Sequence, residues 1–380
     1  MKSVEKIREQ FPITKNKVFL NHASQSPLPK PVADVLRKYV GDFSNLGSTL
    51  IEWKDGGKPF FAKLVGAKPK EIALVENTSM GLNIAANVLH YPQGAKVVTT
   101  DLEYPSVPYV WLRKKLGVKI RYVKNINGKI LLSDVEKAVD DETVAVAVSH
   151  VEYFNGFRND LRALSEIAHE HGAYLIVDAI QSAGAVRIDV KRDDVDFLTA
   201  GCYKWLLGPP GAGYLYVKKE LIEKSEPPLV GWRSVEPEVF ETTNLWEIRK
   251  LRLSETASRF EVGSPSFISF VGATEALKLL LNFGMENVES RILMLTGRLI
   301  EAIENLGLKL QTPGEQQYRS GIVNFKIAEP KEVAEDLGRK GIVISARAHG
   351  IRVSPHFYNT EEEIDRLIDE IRRRCNRLKP

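Results

Sequence analysis

The sequence predicts an α/β protein with a large domain built on a mostly parallel seven-stranded sheet and a smaller C-terminal α/β domain. Apolar runs of strand length alternate with helical stretches over most of the 380 residues. Continuous apolar strands joined by helical crossovers are typical of a parallel sheet that is covered on both faces. The composition, with 43% hydrophobic and 27% charged residues, is that of a globular protein long enough for two cores. After about Pro265 the pattern changes to long helices and shorter strands, which indicates the second domain.

Seven runs in the first part of the chain have strand character, at 71–75, 95–100, 119–123, 143–149, 173–178, 196–201 and 213–217. Helical stretches such as 79–89 and 161–171 separate most of them. A long helical pattern at 266–282 continues through residue 305. The clearest irregular stretch, 225–244, is rich in Pro and Glu, and we interpret it as a loop at the mouth of a functional site.

These patterns predict three parts of the chain. Residues 1–20 form an N-terminal segment that packs on the small domain, residues 21–264 form the large domain, and residues 265–380 form the small C-terminal domain. Because ligands of open parallel sheets bind beyond the carboxyl ends of the strands, we expect the functional site in the large domain.

Charge and cysteine content exclude several classes of protein. The net charge of +4, from 53 basic and 49 acidic residues, is too balanced to indicate a nucleic-acid partner. The two cysteines, Cys202 and Cys375, provide neither a disulfide framework nor a CxxC metal site, and we expect no bound metal. No stretch reaches the roughly 20 apolar residues of a membrane span, and the charged N-terminus is unlike a signal peptide. We therefore expect a cytoplasmic protein with no membrane partner.

A carboxylate and a lysine follow two neighbouring predicted strands. Asp178 ends the run 173–178, Gln181 lies three residues beyond, and Lys204 follows the run 196–201. A carboxylate at such a sheet edge can keep a pyridinium nitrogen protonated, and a lysine amine can form a Schiff base with an aldehyde. Together these residues predict a catalytic site for pyridoxal 5'-phosphate (PLP), with Lys204 and Asp178 as the catalytic pair.

Asp178, Gln181 and Lys204, in this order and spacing, resemble the fold-type I PLP-dependent transferases. Within them, the chain resembles the class V aminotransferase family, which includes cysteine desulfurases, kynureninases and isopenicillin N epimerase-like proteins. The resemblance runs from 19–23 to 358–360. It implies a PLP enzyme in which Gln181 is one of the cofactor-binding residues.

The phosphate of PLP requires an anion site. Thr78 and Ser79 lie where a strand gives way to a helix, so their amides and hydroxyls can hold an anion. The resemblance places the family's phosphate loop at the same position. It also implies that the hydroxyl of Tyr203 reaches the phosphate. Gly263 and Ser264 resemble the segment that completes the phosphate site of a neighbouring subunit, which implies a homodimer with shared active sites.

The resemblance assigns further residues to the cofactor ring and to the substrate. Tyr104 takes the place of the aromatic residue that stacks on the ring, and His150 takes the place of a polar residue near the phenolic oxygen. An arginine fork is the usual partner of a substrate carboxylate, and the late segment makes Arg352 the first choice and Arg347 the second. Two more residues complete the predicted substrate site, Trp232 and His22.

Several reactions on an amino acid remain open from the sequence. Transamination is our leading interpretation. Epimerisation or racemisation, and elimination or carbon–carbon cleavage of the kynureninase type, are the alternatives within the family. A persulfide mechanism is disfavoured because no cysteine occurs between Gly341 and Thr360. Outside the family, a PLP-binding protein without catalysis is opposed by the intact Lys204 and Asp178, and a nicotinamide dehydrogenase is opposed by the lack of a GxGxxG motif.

Overall fold

A seven-stranded sheet lies at the centre of the described structure. The computed structural model describes residues 4–48, 55–236 and 249–377, so residues 237–244 of the predicted mouth loop lie outside it. The strands of this sheet are β2 (Ile72–Val75), β3 (Lys96–Thr100), β4 (Lys119–Val123), β5 (Thr143–Ser149), β6 (Tyr174–Asp178), β7 (Phe197–Gly201) and β8 (Gly213–Val217). Their order across the sheet is β2-β8-β7-β6-β5-β3-β4. The five neighbouring strands β4, β3, β5, β6 and β7 are parallel to one another. Strand β8 is antiparallel to both of its neighbours, β7 and β2.

Apolar side chains on both faces explain why these segments form a buried sheet. Alternate residues of β6 belong to different cores, with Leu175 and Val177 on one face and Ile176 on the other. Residues Val146 and Val148 of β5 join the first face, and Ala145 and Ala147 join the second. A sheet that buries both faces needs helices on each side, so the predicted α/β architecture is confirmed.

Some helices of the described chain cover this sheet, and others belong to the C-terminal part. They are α1 (Val4–Arg8), α2 (Lys30–Leu46), α3 (Lys58–Val65), α4 (Thr78–Val88), α5 (Ser106–Tyr109), α6 (Leu132–Glu136), α7 (Leu161–Glu170), α8 (Lys219–Ile222), α9 (Phe267–Phe283), α10 (Met285–Asn305), α11 (Pro330–Arg339) and α12 (Glu361–Arg377). Side-chain caps start two of them. Asn77 accepts a hydrogen bond from the amide of Met80, and Asp160 accepts one from the amide of Ala163.

The C-terminal part has its own core. Three strands, β9 (Val323–Lys326), β11 (Ser345–Arg347) and β12 (Gly350–Val353), form an antiparallel sheet in the order β11-β12-β9. Apolar residues of this sheet pack with α10, α11 and α12. Helices α9 and α10 bend by 81° at Gly284. Within the described residues no single helix has the length and apolar composition to cross a membrane, and this bent pair meets that criterion only when taken together.

The N-terminal segment lies against the C-terminal part. Strand β1 (Val18–Phe19) pairs in parallel with β10 (Ile342–Val343). The guanidinium of Arg8 donates to the carbonyl of Tyr358 at 2.9 Å. The ring of Phe11 stacks on that of Tyr358, with centroids 3.7 Å apart. The domain boundaries at residues 20 and 264 stay a prediction.

Candidate functional site

Lys204 and Asp178 meet at the carboxyl edge of the large sheet. Asp178 is the last residue of β6, and Lys204 follows the end of the neighbouring strand β7. The ammonium group of Lys204 lies 5.8 Å from the ring centroid of Tyr104 and 5.7 Å from that of Tyr203. Burial lowers the pKa of Lys204 to about 8, with the positive charges of Arg352 and Arg347 acting in the same direction and Asp178 opposing them. A lysine with this pKa is a better nucleophile and base near neutral pH.

Asp178 is a buried carboxylate without a cation bound to it. It is 3% exposed, and its Oδ1 accepts a hydrogen bond from the amide of Ile180 at 2.8 Å. Among the described residues, no ion pair reaches it within 4.0 Å. Burial raises the pKa of Asp178 to about 6. Since a buried charge is costly unless it is paired, this carboxylate fits a ligand that brings a cationic N–H group, as the pyridinium of PLP does.

The start of α4 lies beside the Lys204 loop. The hydroxyl of Thr78 accepts a hydrogen bond from the amide of Gly201 at 2.9 Å, and the hydroxyl of Ser79 bonds to that of Ser106 at 2.9 Å. A Cβ atom at Gly81 would lie 2.1 Å from the hydroxyl oxygen of Thr199, so only glycine allows α4 to pack this closely on β7. This packing brings a helix N-terminus, which favours anions, next to the lysine. The position fits the phosphate of PLP.

Aromatic rings border the same space. Tyr104 is 47% exposed, and its ring meets that of Tyr153 edge-on, with centroids 5.2 Å apart. Tyr104 is therefore free to present a ring face to a ligand. Tyr153 is absent from the sequence-based site, although it lies only three residues beyond His150 in the same loop.

His150 lies away from the lysine, contrary to the predicted contact with the cofactor ring. Successive side chains of a strand point to opposite faces. Ser149 lies opposite Asp178 in the sheet, and the next residue, His150, lines a separate cavity of about 330 Å³ with Arg158 and Arg192. Burial lowers the pKa of His150 to about 3, so the imidazole is neutral.

Gln181 and His22 make structural contacts rather than facing an open site. The amide nitrogen of Gln181 donates to the carbonyl of Ala23 at 3.0 Å, and its oxygen accepts from the indole of Trp205 at 2.9 Å. His22 is fully buried, with its two ring nitrogens bonded to the carbonyl of Ser354 and the hydroxyl of Tyr358. The predicted substrate contact of His22 is therefore not supported, because its side chain belongs to the packed core.

The two predicted arginines converge on one hydroxyl group. Arg352 is 1% exposed and donates to Ser24 Oγ at 2.7 Å and to the carbonyl of Tyr153 at 2.7 Å. Arg347 donates to the same Ser24 Oγ at 3.2 Å and to the carbonyl of Ala346 at 2.9 Å. Burial, with the charge of Arg347 adding to it, lowers the pKa of Arg352 to about 9. In the part of the chain that the structure describes, neither arginine forms an ion pair.

Two further carboxyl groups lie behind Asp178. Glu103 accepts hydrogen bonds from the amide of Ser149 at 2.7 Å and from its hydroxyl at 2.6 Å. Glu152 is fully buried, accepts from Asn159 at 3.2 Å, and has an Oε2 without a partner. Burial raises the pKa of Glu103 to about 8 and that of Glu152 well above its ordinary value. We name Glu103 and Glu152 the acid pair; at neutral pH the pair retains a proton.

The segment that is expected to serve a neighbouring subunit lies at the surface. Ser264 is exposed, and Gly263 is half-buried. Trp232 is 42% exposed, and its indole nitrogen lies 3.8 Å from the place where a Cβ atom on Gly263 would stand. The roles of these three residues stay predictions, because they depend on a second copy of the chain.

The chain is similar to known proteins over nearly its whole length. The sequence model of the aminotransferase class-V family matches residues 18–367. The uncharacterized aminotransferase YcbU of Bacillus subtilis is 34% identical over 370 residues, covering 97% of each chain. A probable cysteine desulfurase of Pyrococcus abyssi is 28% identical over 396 residues, covering 97% of this chain and 96% of the relative. The apo structure of the cysteine desulfurase from Thermococcus onnurineus superposes with a TM-score of 0.88 at 28% identity, covering 100% of this chain and 99% of that one.

Proposed function

The chain belongs to the class V aminotransferase family of PLP-dependent enzymes, and from this premise we propose that it transfers the amino group of an α-amino acid. The observation that carries the proposal is a buried arginine near Lys204 that lacks a counter-ion. Arg352 is 1% exposed and has no carboxylate partner among the described residues, and its positive charge lowers the pKa of Lys204. A buried guanidinium in this state is ready to bind a substrate carboxylate.

Each step of the reaction has a residue suited to it. When bound, PLP supplies a sink for the electron pair that is released at the substrate Cα. The carboxylate of Asp178, whose pKa is about 6, is ionised at neutral pH and would accept a hydrogen bond from a protonated ring nitrogen. Lys204, whose pKa is about 8, would hold the cofactor and then move the proton at the substrate Cα. The start of α4, at Thr78 and Ser79, would hold the phosphate.

The cysteines do not support a persulfide mechanism. Cys202 is fully buried, and burial raises the pKa of its thiol. Cys375 lies in α12 and packs against the C-terminal core. A thiolate nucleophile needs exposure and a lowered pKa, and Cys202 has neither. This weighs for a reaction without a cysteine nucleophile, although relatives at 28% identity carry the name cysteine desulfurase.

Elimination of a sulfur group from Cβ is the second candidate. The names of those relatives favour it, and it requires only the Cα base Lys204 and the carboxylate anchor Arg352. In this reaction sulfur would leave directly from the substrate instead of passing to a cysteine. No feature of the described site specifically favours epimerisation or carbon–carbon cleavage.

A product assay with the amino acid in excess over the enzyme distinguishes these reactions. The PLP-loaded enzyme is mixed with a panel of L- and D-amino acids, including cysteine and cystine, and products are quantified. Transamination yields one 2-oxo acid per site without ammonia, whereas elimination yields pyruvate, ammonia and a sulfur product over many turnovers. Appearance of the opposite enantiomer alone would contradict the proposal. Lys204→Ala is the matched control, since it removes the base and leaves Asp178 in place.

We also propose a cytoplasmic homodimer in which Gly263 and Ser264 complete the phosphate site of the partner subunit. The exposed position of Ser264 supports this arrangement. Light scattering coupled to size exclusion should give twice the mass of the 42.6 kDa chain. A monomer that binds PLP with full occupancy would contradict it.

A further inference from the structure

Two arginines share one neutral partner at the edge of the candidate site. Arg352 and Arg347 both donate to Ser24 Oγ, at 2.7 and 3.2 Å. The Nε atom of Arg352 is buried without a hydrogen-bond partner. A hydroxyl accepts hydrogen bonds but carries no charge, so the two positive charges stand side by side without an anion.

A second arginine pair in the same chain shows what is missing. Arg158 and Arg187 also share one side chain, but that side chain is the carboxylate of Glu289, which accepts at 2.8 and 2.7 Å. Glu289 is 8% exposed, and Glu286 places a second carboxylate 3.9 Å from Arg187, so this cluster has one carboxylate for each arginine. At the Arg347–Arg352 pair a serine stands where that cluster has a glutamate. The negative charge must therefore come from a ligand.

One substrate carboxylate accounts for only one of these charges. Both arginines lie close enough to Lys204 for their positive charges to lower its pKa. Like charges held together in a partly buried site are unfavourable until anions arrive. An α-carboxylate on Arg352 would leave Arg347 uncompensated.

We propose that Arg347 binds a second acidic group of the substrate, so that the enzyme acts on a dicarboxylic amino acid or on the corresponding 2-oxo diacid. Arg352 then holds the α-carboxylate and Arg347 holds the side-chain carboxylate, with Ser24 keeping the two guanidinium groups apart and oriented. This assignment rests on the proposed function, since it uses the same site. It differs from a single carboxylate clamped by both arginines, which is the competing arrangement.

Two inert acids with the same number of carbons test the proposal. Succinate carries two carboxylates and butyrate carries one, and neither has an amino group to react. Calorimetric titration of the PLP-loaded enzyme should give a dissociation constant for succinate at least tenfold below that for butyrate. Equal constants would overturn the proposal and favour the single-carboxylate clamp. This comparison uses the unaltered protein, so it does not depend on a variant that folds.

Variants then locate the effect. Arg347→Gln should bring the ratio of the butyrate and succinate constants to about one, because only the second carboxylate loses its partner. Arg121→Gln is the matched control, since it removes an arginine from the exposed edge strand β4 and should leave the ratio unchanged. A ratio that survives Arg347→Gln would overturn the assignment.

Failure of this proposal and failure of the proposed function give different results. If the protein takes up PLP on Lys204 and binds butyrate as tightly as succinate, only the second acidic group is wrong. If succinate binds more tightly than butyrate but no amino acid yields one 2-oxo acid per site, the proposed function falls and the second acidic group stands.

Discussion

Two carboxylates of this chain have the same exposure and opposite surroundings. Asp178, at the candidate site, and Glu261, elsewhere in the large part, are each 3% exposed. Glu261 forms ion pairs with Lys58 and with Arg233, the latter at 2.9 Å. It also accepts a hydrogen bond from the backbone amide of Leu74 at 3.2 Å. Asp178 has one backbone donor and no cation among the described residues. Burial alone therefore does not identify a functional carboxylate; the missing partner does.

The same contrast holds for the positive charges. Arg158 and Arg187 form ion pairs with Glu289, and Glu286 also lies near Arg187, whereas Arg347 and Arg352 meet only at Ser24. Charges that the fold satisfies internally contribute to stability, and charges that it leaves unsatisfied are available to a ligand. The following predictions test this contrast between paired and unpaired charges.

Lys204→Ala should have the largest effect. Removing the residue that moves the Cα proton should lower turnover by about 10²–10⁴-fold or more, the usual contribution of a positioned acid–base group. PLP should still bind through Asp178, Thr78 and Ser79. Borohydride treatment of the parent followed by mass spectrometry should find the pyridoxyl group on Lys204. A pyridoxyl group on another lysine would refute the central assignment.

Glu261→Gln should destabilise the PLP-free protein, whereas Asp178→Asn should not. Breaking a buried ion pair from one side costs roughly 3–5 kcal/mol, because it leaves a cation without its partner. Asp178→Asn removes an unpaired buried charge, so the free energy of unfolding should stay level or rise at pH 8. Denaturant titration of both variants measures this. Equal destabilisation by the two substitutions would contradict the contrast.

Arg352→Lys should weaken productive binding of an amino acid with a neutral side chain by roughly 2–5 kcal/mol, the cost of breaking a desolvated charge pair. Lysine keeps the charge but cannot reproduce the planar fork. Steady-state kinetics with such a substrate should show the loss, while the visible PLP spectrum changes little. Arg347→Lys is the control and should cost much less. If the two variants exchange effects, Arg347 binds the α-carboxylate.

Glu152→Gln tests the acid pair through pH. Burial raises the pKa of Glu152 well above its ordinary value of 4.5 and that of Glu103 to about 8, so the folded pair keeps a proton that the unfolded chain loses near pH 4.5. The stabilisation is complete at low pH and is lost as pH rises through about 8. Glutamine needs no proton, so the variant should gain roughly 1–3 kcal/mol over the parent at pH 8, the penalty of an unsatisfied buried group. Thermal unfolding from pH 5 to 9 measures the difference, and a pH-independent difference would exclude a retained proton.

The smallest effect is expected from Cys202→Ser combined with Cys375→Ser. Cys202 is buried with a raised thiol pKa, and Cys375 packs against the C-terminal core in α12, so most activity should remain. Sulfide release from cysteine by the parent, lost by orders of magnitude in the double variant, would restore a persulfide mechanism.

Much of the fold and the central pair could be read from the chain. The strand patterns of the sequence identified all seven strands of the large sheet, because six are largely apolar on both faces and the edge strand β4 is rich in β-branched and aromatic residues. Lys204 and Asp178 were predicted because each follows a strand directly, and neighbouring parallel strands end at the same edge. The break at Gly284 between two long helices was not visible as a boundary, since the helical pattern continues across it.

The direction in which individual side chains point could not be predicted from the sequence. His150 and His22 occupy the expected segments, but one faces a second cavity and the other is enclosed by Ser354 and Tyr358. His150 follows the end of β5 and His22 lies in a turn, so contacts distant in sequence fix their side chains, and neighbouring residues do not reveal those contacts.

The sequence by itself determined the strand and helix pattern, the family and the cofactor, because local periodicity and short motifs carry that information. Only the tertiary structure decided which charges stay unpaired. Ser24 lies 323 residues from Arg347 and 328 from Arg352, yet the three meet at one oxygen. Glu103 reaches Ser149, 46 residues away, to stand beside Asp178. Compensation between charges depends on distance in space, and folding alone sets that distance.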